Sequence, residues 1–235
     1  MVHSEHLSKQ YDIDLETIRT RVLEMGGLVE AQILAAIDGF ATGNLDQIER
    51  VIADDHRVNA FEVGIDNDCS QIIVRRQPAA GDLRMILAIG KIVTDLERIG
   101  DEAAKIARIS KQIHERVLVS VPPLADVKHV GGVAVGMLRK ALDAFARLDP
   151  AVAAAIVRED VAIDEEFRSI VRQLITFMME DPRTISPALE IMWIAKWIER
   201  IGDHSKNMAE QVIYIVKGTD VRHTTVEDIE REALR

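Results

Sequence analysis

Apolar residues recur at helical spacing through most of the chain. In the first long segment they fall three or four positions apart, at Ile18, Val22, Met25, Val29, Ile33, Ala36 and Phe40. This period predicts an amphipathic helix with one face against a core. Five further stripes of the same kind follow, separated by Gly, Asn and Pro signals near positions 43–44, 77–81, 122–123, 149–150 and 181–187. The pattern therefore predicts an all-α protein of six long helices.

The first three predicted helices are repeated in the next three. Glu-Arg-Ile-Gly-Asp occurs at 97–101 and again at 199–203, an offset of 102 residues. The pairs Gly26-Gly27 and Gly131-Gly132 begin another two matching segments, at an offset of 105. Long helices joined by short turns favour up-down-up bundles. The repeat therefore predicts two tandem, similar three-helix bundles.

The bundles are expected to span residues 1–120 and 124–218. Between them, residues 117–123 end in Pro122-Pro123 and are the best linker candidate. The last segment, 219–235, is rich in charge. We expect it to be a mobile or loosely helical tail.

Acidic residues interrupt the apolar stripe of the second helix in each half. In the first half Asp55, Asn59, Glu62 and Asp66 are spaced four, three and four along a line that Ile48 and Cys69 continue, which is the spacing of a core-facing stripe. Each Glu-Arg-Ile-Gly-Asp copy adds a Glu and an Asp one turn apart on the next helix. The candidate ligands are Asp55, Glu62, Asp66, Glu97 and Asp101 in the first half, and Asp160, Asp164, Glu199, Asp203 and Asn207 in the second.

Acids on a helix more often form a solvated face than a binding site. A solvated face would lie opposite the apolar stripe, whereas these acids lie within it. Burying ionised carboxylates without partners costs several kcal/mol each. We see no paired basic residue in the same line, so bound cations are the expected compensation. All-oxygen ligation suits hard ions such as Mg²⁺, Ca²⁺, Mn²⁺ or oxidised iron. The sequence contains neither Cys-x-x-Cys nor Glu-x-x-His, which argues against a thiolate zinc site and a di-iron oxidase.

Two further rows are candidates for contacts. Lys91, Arg98 and Lys105 recur every seven residues on the predicted outer face of the third helix. Such a row is typical of a solvated face, and a partner or phosphate contact is the alternative. Trp193 and Trp197 lie one turn apart and off the apolar stripe. We expect this pair to pack between the bundles or on a partner.

Charge and composition narrow the partners and the compartment. The 235-residue chain has a formal net charge of −10, so it has no basic excess for neutralising nucleic-acid phosphates. Its single cysteine, Cys69, excludes an internal disulfide and is expected to be a small core residue. No apolar signal region or run of about 18 apolar residues occurs, and we expect a cytoplasmic protein with no membrane insertion. The residues expected at the surface include His56, His204 and His223.

The chain strongly resembles the PhoU family, the negative regulators of bacterial phosphate uptake. The segments that carry the resemblance are both Glu-Arg-Ile-Gly-Asp copies, Met25-Gly-Gly-Leu-Val-Glu30, Arg76-Gln-Pro-x-x-x-Asp82-Leu-Arg84, Met178-Met-Glu-Asp-Pro182 and Tyr214-x-x-Lys217-Gly218. The resemblance covers nearly the whole chain. It implies multinuclear clusters of iron, manganese, magnesium or zinc on the paired acids, and action through protein contacts in place of catalysis.

The resemblance also implies two partners, the ATP-binding subunit of the phosphate ABC transporter and the sensor histidine kinase of the phosphate regulon. We further expect a homodimer. Phe167 and Val171 stand where the first half has Glu62 and Asp66, so the site with fewer acids is expected to hold fewer ions or none. The alternatives are a metal-dependent carboxylate-bundle hydrolase or oxidase, and a metal storage or scaffold protein.

Overall fold

The computed structural model describes residues 9–116 and 125–235, and every regular element in those ranges is a helix. The predicted linker at 117–123 lies outside them. The α-helices are Lys9–Thr42 (α1), Leu45–Arg76 (α2), Ala80–Glu115 (α3), Ala125–Arg147 (α4), Pro150–Glu180 (α5), Ile185–Lys217 (α6) and Val226–Leu234 (α7), with a 3₁₀ turn at Pro182–Thr184. None of these helices is long and apolar enough to cross a membrane.

Local signals set the ends of several helices. The side chain of Asn44 accepts a hydrogen bond from the backbone N–H of Gln47 at 3.1 Å and caps α2. Asp149 caps α5 in the same way, with Pro150 in the first turn, where its missing N–H costs nothing. Gly218 ends α6 with φ of 80°, in the left-handed region that favours glycine. The breaks predicted from the sequence at these positions are confirmed.

The six long helices form two triplets that lie side by side. Helices α1, α2 and α3 pack on one another, and so do α4, α5 and α6. The triplets meet through α1 with α4 and α3 with α6, which leaves α2 and α5 on the outside. We call this contact the seam. The predicted all-α architecture of two tandem three-helix bundles is therefore confirmed.

The seam pairs equivalent helices of the repeat, and the same contact occurs in both directions. Gly26 of α1 lies against Leu142 of α4, and Gly131 of α4 lies against Ile37 of α1. Each pair maps onto the other at the repeat offset of 105 residues. A Cβ at Gly131 would lie 2.5 Å from Ile37 Cδ1, so glycine allows the two helices to approach closely.

Polar residues cross the seam between α3 and α6, which run antiparallel. Glu102 Oε1 lies 3.2 Å from Arg200 Nη1, and Asp95 Oδ1 lies 2.9 Å from His204 Nδ1. His204 is only 7% exposed, so its predicted surface position is wrong. It is buried because α3 covers it, and Asp95 supplies the hydrogen bond that its ring needs.

The C-terminal segment is also better ordered than predicted. Helix α7 packs on α5, and its Ile229 and Ala233 are buried. Arg158 of α5 donates to both carboxylate oxygens of Glu230, each at 2.7 Å. Two apolar anchors and a bidentate ion pair therefore attach this helix to the second bundle, and the expectation of a mobile or loosely helical tail is wrong.

Candidate metal centre

The first acidic set lies beside the core between α2 and α3. Ile48 and Cys69, at the two ends of the predicted acidic line on α2, are buried, which confirms the core position of the cysteine. Between them Asp55 and Glu62 are partly buried, whereas Asp66 is exposed. Only part of the predicted line therefore borders the core.

Burial and the charges of neighbouring acids raise the pKa of two of these carboxyl groups. Burial, followed by the charges of Glu97 and Asp66, raises the pKa of Glu62. Burial, followed by the charges of Asp101 and Asp55, raises the pKa of Glu97. The charges of the five acids of the first half thus act on one another across the two helices.

Basic side chains compensate part of this cluster. Lys105 Nζ lies 2.8 Å from Asp101 Oδ2, and Arg108 Nη2 of α3 lies 3.3 Å from Asp55 Oδ2 of α2. The expectation that the acids have no basic partners is therefore wrong for these two. Within this first set, Glu62, Asp66 and Glu97 have no basic group within 4.0 Å among the described residues.

The acids of the second bundle are more completely neutralised. Lys196 Nζ lies 2.6 Å from Glu199 Oε1, and Lys206 Nζ lies 2.7 Å from Asp160 Oδ2. Asp203 has no such partner in the described ranges. Burial, followed by the charges of Glu199 and Asp160, raises the pKa of Asp203, although Lys206 and Lys196 oppose the rise.

Aromatic and apolar residues replace two acids of the first half. Phe167 lies beneath Lys196, whose Nζ is 5.4 Å from the ring centre, and Val171 is partly buried. Asp164 is 40% exposed at its side chain and lies 3.9 Å from Arg168. The second site therefore holds a lysine over an aromatic ring where the first holds carboxylates.

Asn207 and two members of the predicted outer basic row lie at the seam. The Asn207 amide donates to Asp95 Oδ1 at 3.3 Å. Lys91 Nζ lies 5.6 Å above the ring centre of Tyr214 in α6, and Arg98 borders the same groove as Asn207. Lys91 and Arg98 are exposed, but they line a groove between the bundles and not an open outer face of α3.

The two tryptophans stack on each other at the other end of the seam helix α6. Their ring centres are 6.3 Å apart and the ring planes differ by 27°. Trp193 is 53% exposed, and Trp197 packs partly against the core. A contact of this pair with a partner stays a prediction.

The donor set suits a hard cation best in the first bundle. No three Asp, Glu, His or Cys side chains of the described ranges converge closely enough to hold a metal ion. Binding would therefore require Glu62 and Glu97 to rotate towards a common ion. In the second bundle an ion would also have to displace Lys196 from Glu199 and Lys206 from Asp160, which carry the positive charge there.

Sequence spacing predicts some of the ion pairs between acids and basic residues, but not all of them. Lys196 with Glu199, and Asp101 with Lys105, are three and four residues apart on one helix, a spacing that brings side chains together. Lys206 with Asp160 joins two helices, and no sequence spacing predicts that pair. The pair forms because α5 packs on α6.

Comparison with known proteins gives the same organisation. The PhoU domain matches this chain twice, at residues 22–110 and 127–212. A relative from Burkholderia, named phosphate-specific transport system accessory protein PhoU homolog, is 49% identical over 98% of both chains. The Escherichia coli protein, named phosphate-specific transport system accessory protein PhoU, is 44% identical over 97% of this chain and 94% of its own.

Two solved structures share the fold. The crystal structure of PhoU from Pseudomonas aeruginosa superposes with a TM-score of 0.85 at 44% identity, covering 89% of this chain and all of that one. The phosphate transport system regulatory protein PhoU from Streptococcus pneumoniae gives 0.82 at 26% identity, covering 90% and 99%. With two matching domains and relatives that align over nearly their whole length, this chain belongs to the PhoU family, whose members are accessory and regulatory proteins of phosphate transport and not enzymes.

Proposed function

We propose that the chain is a negative regulator of phosphate uptake and phosphate-regulon signalling that works as an adaptor. The observation that carries the proposal is its similarity to proteins named as accessory proteins of the phosphate-specific transport system. Their match extends over both bundles. An adaptor acts by presenting surfaces to other proteins, and the exposed Trp193 and the charged rows along α2 and α3 are surfaces of that kind.

The proposed partners are the ATP-binding subunit of the phosphate ABC transporter and the sensor histidine kinase of the phosphate regulon. Both use ATP, so the proposal places the chain in the cytoplasm. The proposal includes a homodimer as well. The exposed face of Trp193 is our first choice for one of these contacts, because tryptophan is enriched at binding hot spots.

The enzymatic alternative, a carboxylate-bundle hydrolase or oxidase, has less support. Its acids would have to act as general acids, general bases or redox-metal ligands in a defined constellation. Here Asp55, Asp101, Asp160 and Glu199 are tied to basic side chains. The relatives' names describe transport accessory proteins.

Metal binding forms part of the proposal and is assigned first to the first bundle. There, in the part of the chain that the structure describes, five carboxylates share only Lys105 and Arg108 as contacting cations, and Glu62 and Glu97, which have no such contact, have raised pKa values. A bound cation would supply the missing positive charge between α2 and α3. The two lysines of the second bundle support the expectation that its site holds fewer ions or none.

Deletion of the gene tests the regulatory proposal. In phosphate-rich medium, cells without the protein should take up more phosphate and express the phosphate regulon more strongly, and the wild-type chain should restore both. If deletion changes neither, the regulatory assignment fails, whatever the fold.

A matched pair of variants tests the metal assignment. Glu97 and Glu199 are equivalent in the repeat, but only Glu199 is bound by a lysine, Lys196. In protein purified without chelator, Glu97→Gln should lower the metal content more than Glu199→Gln does. Equal metal contents in wild type and both variants would contradict the assignment.

A further inference from the structure

A groove of about 540 Å³ lies along the seam between α3 and α6. It is bordered by Lys91 and Arg98 of α3, Gln211 of α6, and Arg222 and His223 of the loop after α6. This volume is typical of small-ligand sites. One lysine and two arginines thus border a single groove, although the formal net charge of the chain is −10.

Two of these cations form no ion pair, although the charge of Arg98 acts on Glu62 and Glu97 and that of Lys91 acts on Asp220. Among the described residues, neither Lys91 nor Arg98 has a carboxylate oxygen within 4.0 Å. The contact of Lys91 with the ring of Tyr214 positions the ammonium group without cancelling its charge. Arg222 is held by Asp220, with Nε at 2.9 Å and Nη2 at 2.6 Å from its carboxylate, so its guanidinium is fixed beside the groove.

The wall of the groove also offers neutral hydrogen-bonding groups. Gln211 is only 4% exposed, and its Oε1 has no hydrogen-bond partner. A buried amide oxygen without a partner is unfavourable, and the amide nitrogen is the group that can donate. Asp95 is already matched by His204 and Asn207. Asp66 also borders the groove, where its exposure lets water and salt screen its charge.

The repeat supplies an internal comparison. At the offset of 102 residues, Trp193 takes the place of Lys91, and Arg200 takes the place of Arg98. Arg200 is neutralised by Glu102 at 3.2 Å. At the other end of the seam, the positions equivalent to Lys91 and Arg98 therefore hold no positive charge that lacks an acidic partner. The available charge of Lys91 and Arg98 is not a requirement of packing α3 on α6.

We propose that the seam groove binds a phosphoryl anion, either free phosphate or the phosphate group of a nucleotide, through Lys91, Arg98 and Gln211. Ammonium and guanidinium groups form strong, charge-assisted hydrogen bonds to phosphate oxygens, and the amide nitrogen of Gln211 adds a neutral donor. The inference rests on the proposed function only for its biological meaning, since a regulator of phosphate uptake gains from sensing a phosphorylated ligand directly.

Calorimetric titration of the full chain tests the proposal, with inorganic phosphate in one arm and ATP in the other. Chelator is present throughout, so that no metal ion can bridge ligand and protein. The wild type should bind at least one ligand, and Lys91→Gln and Arg98→Gln should each weaken binding by about tenfold. Arg168→Gln, which removes an exposed charge on α5, should leave the affinity unchanged.

A steric variant keeps the test independent of charge. Gly90 borders the groove, and a Cβ there would meet nothing nearer than Asp66 Oδ1 at 3.9 Å. The position therefore has room for a Cβ, and the larger side chain of Gly90→Leu should abolish binding by filling the groove, with a melting curve like that of the wild type as the check on folding. Binding of ATP alone supports the proposal and assigns a nucleotide.

Two results overturn the proposal: a wild type that binds neither ligand, or groove variants that bind as the wild type does. Such a failure leaves the regulatory function standing, because deletion tests that function separately. A deletion without phenotype would in turn leave the binding result untouched.

Discussion

The buried carboxyl group of Glu210, in the second bundle, should make the stability of the protein depend on pH. It is 8% exposed on α6, and burial is the main reason why its pKa is raised from 4.5 to about 7. Lys206 and Arg222 oppose that rise, whereas Asp220 and Asp160 add to it. The folded protein therefore holds a proton on this carboxyl group at pH values where the unfolded chain has released it.

The sign of the effect on stability follows from this difference. Because the folded pKa is the higher one, the contribution of Glu210 to stability is fully present below its unfolded pKa of 4.5. It is lost as the pH rises through about 7. One unit of pKa difference corresponds to about 1.4 kcal/mol. Ionised Glu210 therefore costs the folded state about 3 kcal/mol at about pH 8.5, and less than about 1 kcal/mol at about pH 5.

Glu210→Gln removes the ionisation and keeps the shape of the side chain. In denaturant unfolding with chelator present, the variant should gain about 2–3 kcal/mol relative to wild type between about pH 5 and about pH 8.5. The control Glu165→Gln, at an exposed position on α5, should stay within about 0.5 kcal/mol at both pH values. A gain for Glu210→Gln that is the same at both pH values would refute the reasoning.

Three further outcomes are expected. In chelator, Asp203→Asn should leave the melting temperature unchanged or raise it, since burial and neighbouring acids raise the pKa of Asp203. With Mg²⁺, Mn²⁺ or iron the wild type should gain stability, by about 2.7 kcal/mol at a metal concentration of a hundred times the dissociation constant, and Asp203→Asn should gain less. A wild type that melts identically with metal and with chelator contradicts metal binding. Changing Trp193 and Trp197 together to Gln should alter the size measured by light scattering or the affinity for a partner, and no change in either refutes their role. Gly132→Ala adds a Cβ in open space and should raise the free energy of unfolding by about 1 kcal/mol. Gly131→Ala adds a Cβ at the seam and should be about 1–3 kcal/mol less stable than Gly132→Ala. Equal free energies of unfolding for the two variants contradict the close packing at the seam.

The sequence predicts the helices and the repeat because their signals are local. Asn44, Asp149 and Gly218 each act within one turn of their own helix, so spacing alone locates the ends of α2, α5 and α6. Helical periodicity also decides which face of α2 and of α3 the acids share, and their convergence on a common ion stays a prediction.

Contacts between distant helices are harder to predict. The burial of His204 depends on α3, which lies about a hundred residues away in the sequence, and its own helix gives no sign of that. Lys206 reaches Asp160 only because α6 packs on α5. Helix α7 is nine residues long, too short for its apolar period to stand out from a charged tail.

The pairing of equivalent helices at the seam has a consequence for how the halves stay together. Gly26 on Leu142 and Gly131 on Ile37 are one contact made twice, which is the arrangement of an isologous dimer. The chain thus carries a dimer interface between its own halves. The covalent connection raises the effective concentration of one half around the other. If the chain were cut within 117–124, the halves should remain associated at concentrations above the dissociation constant of the seam itself.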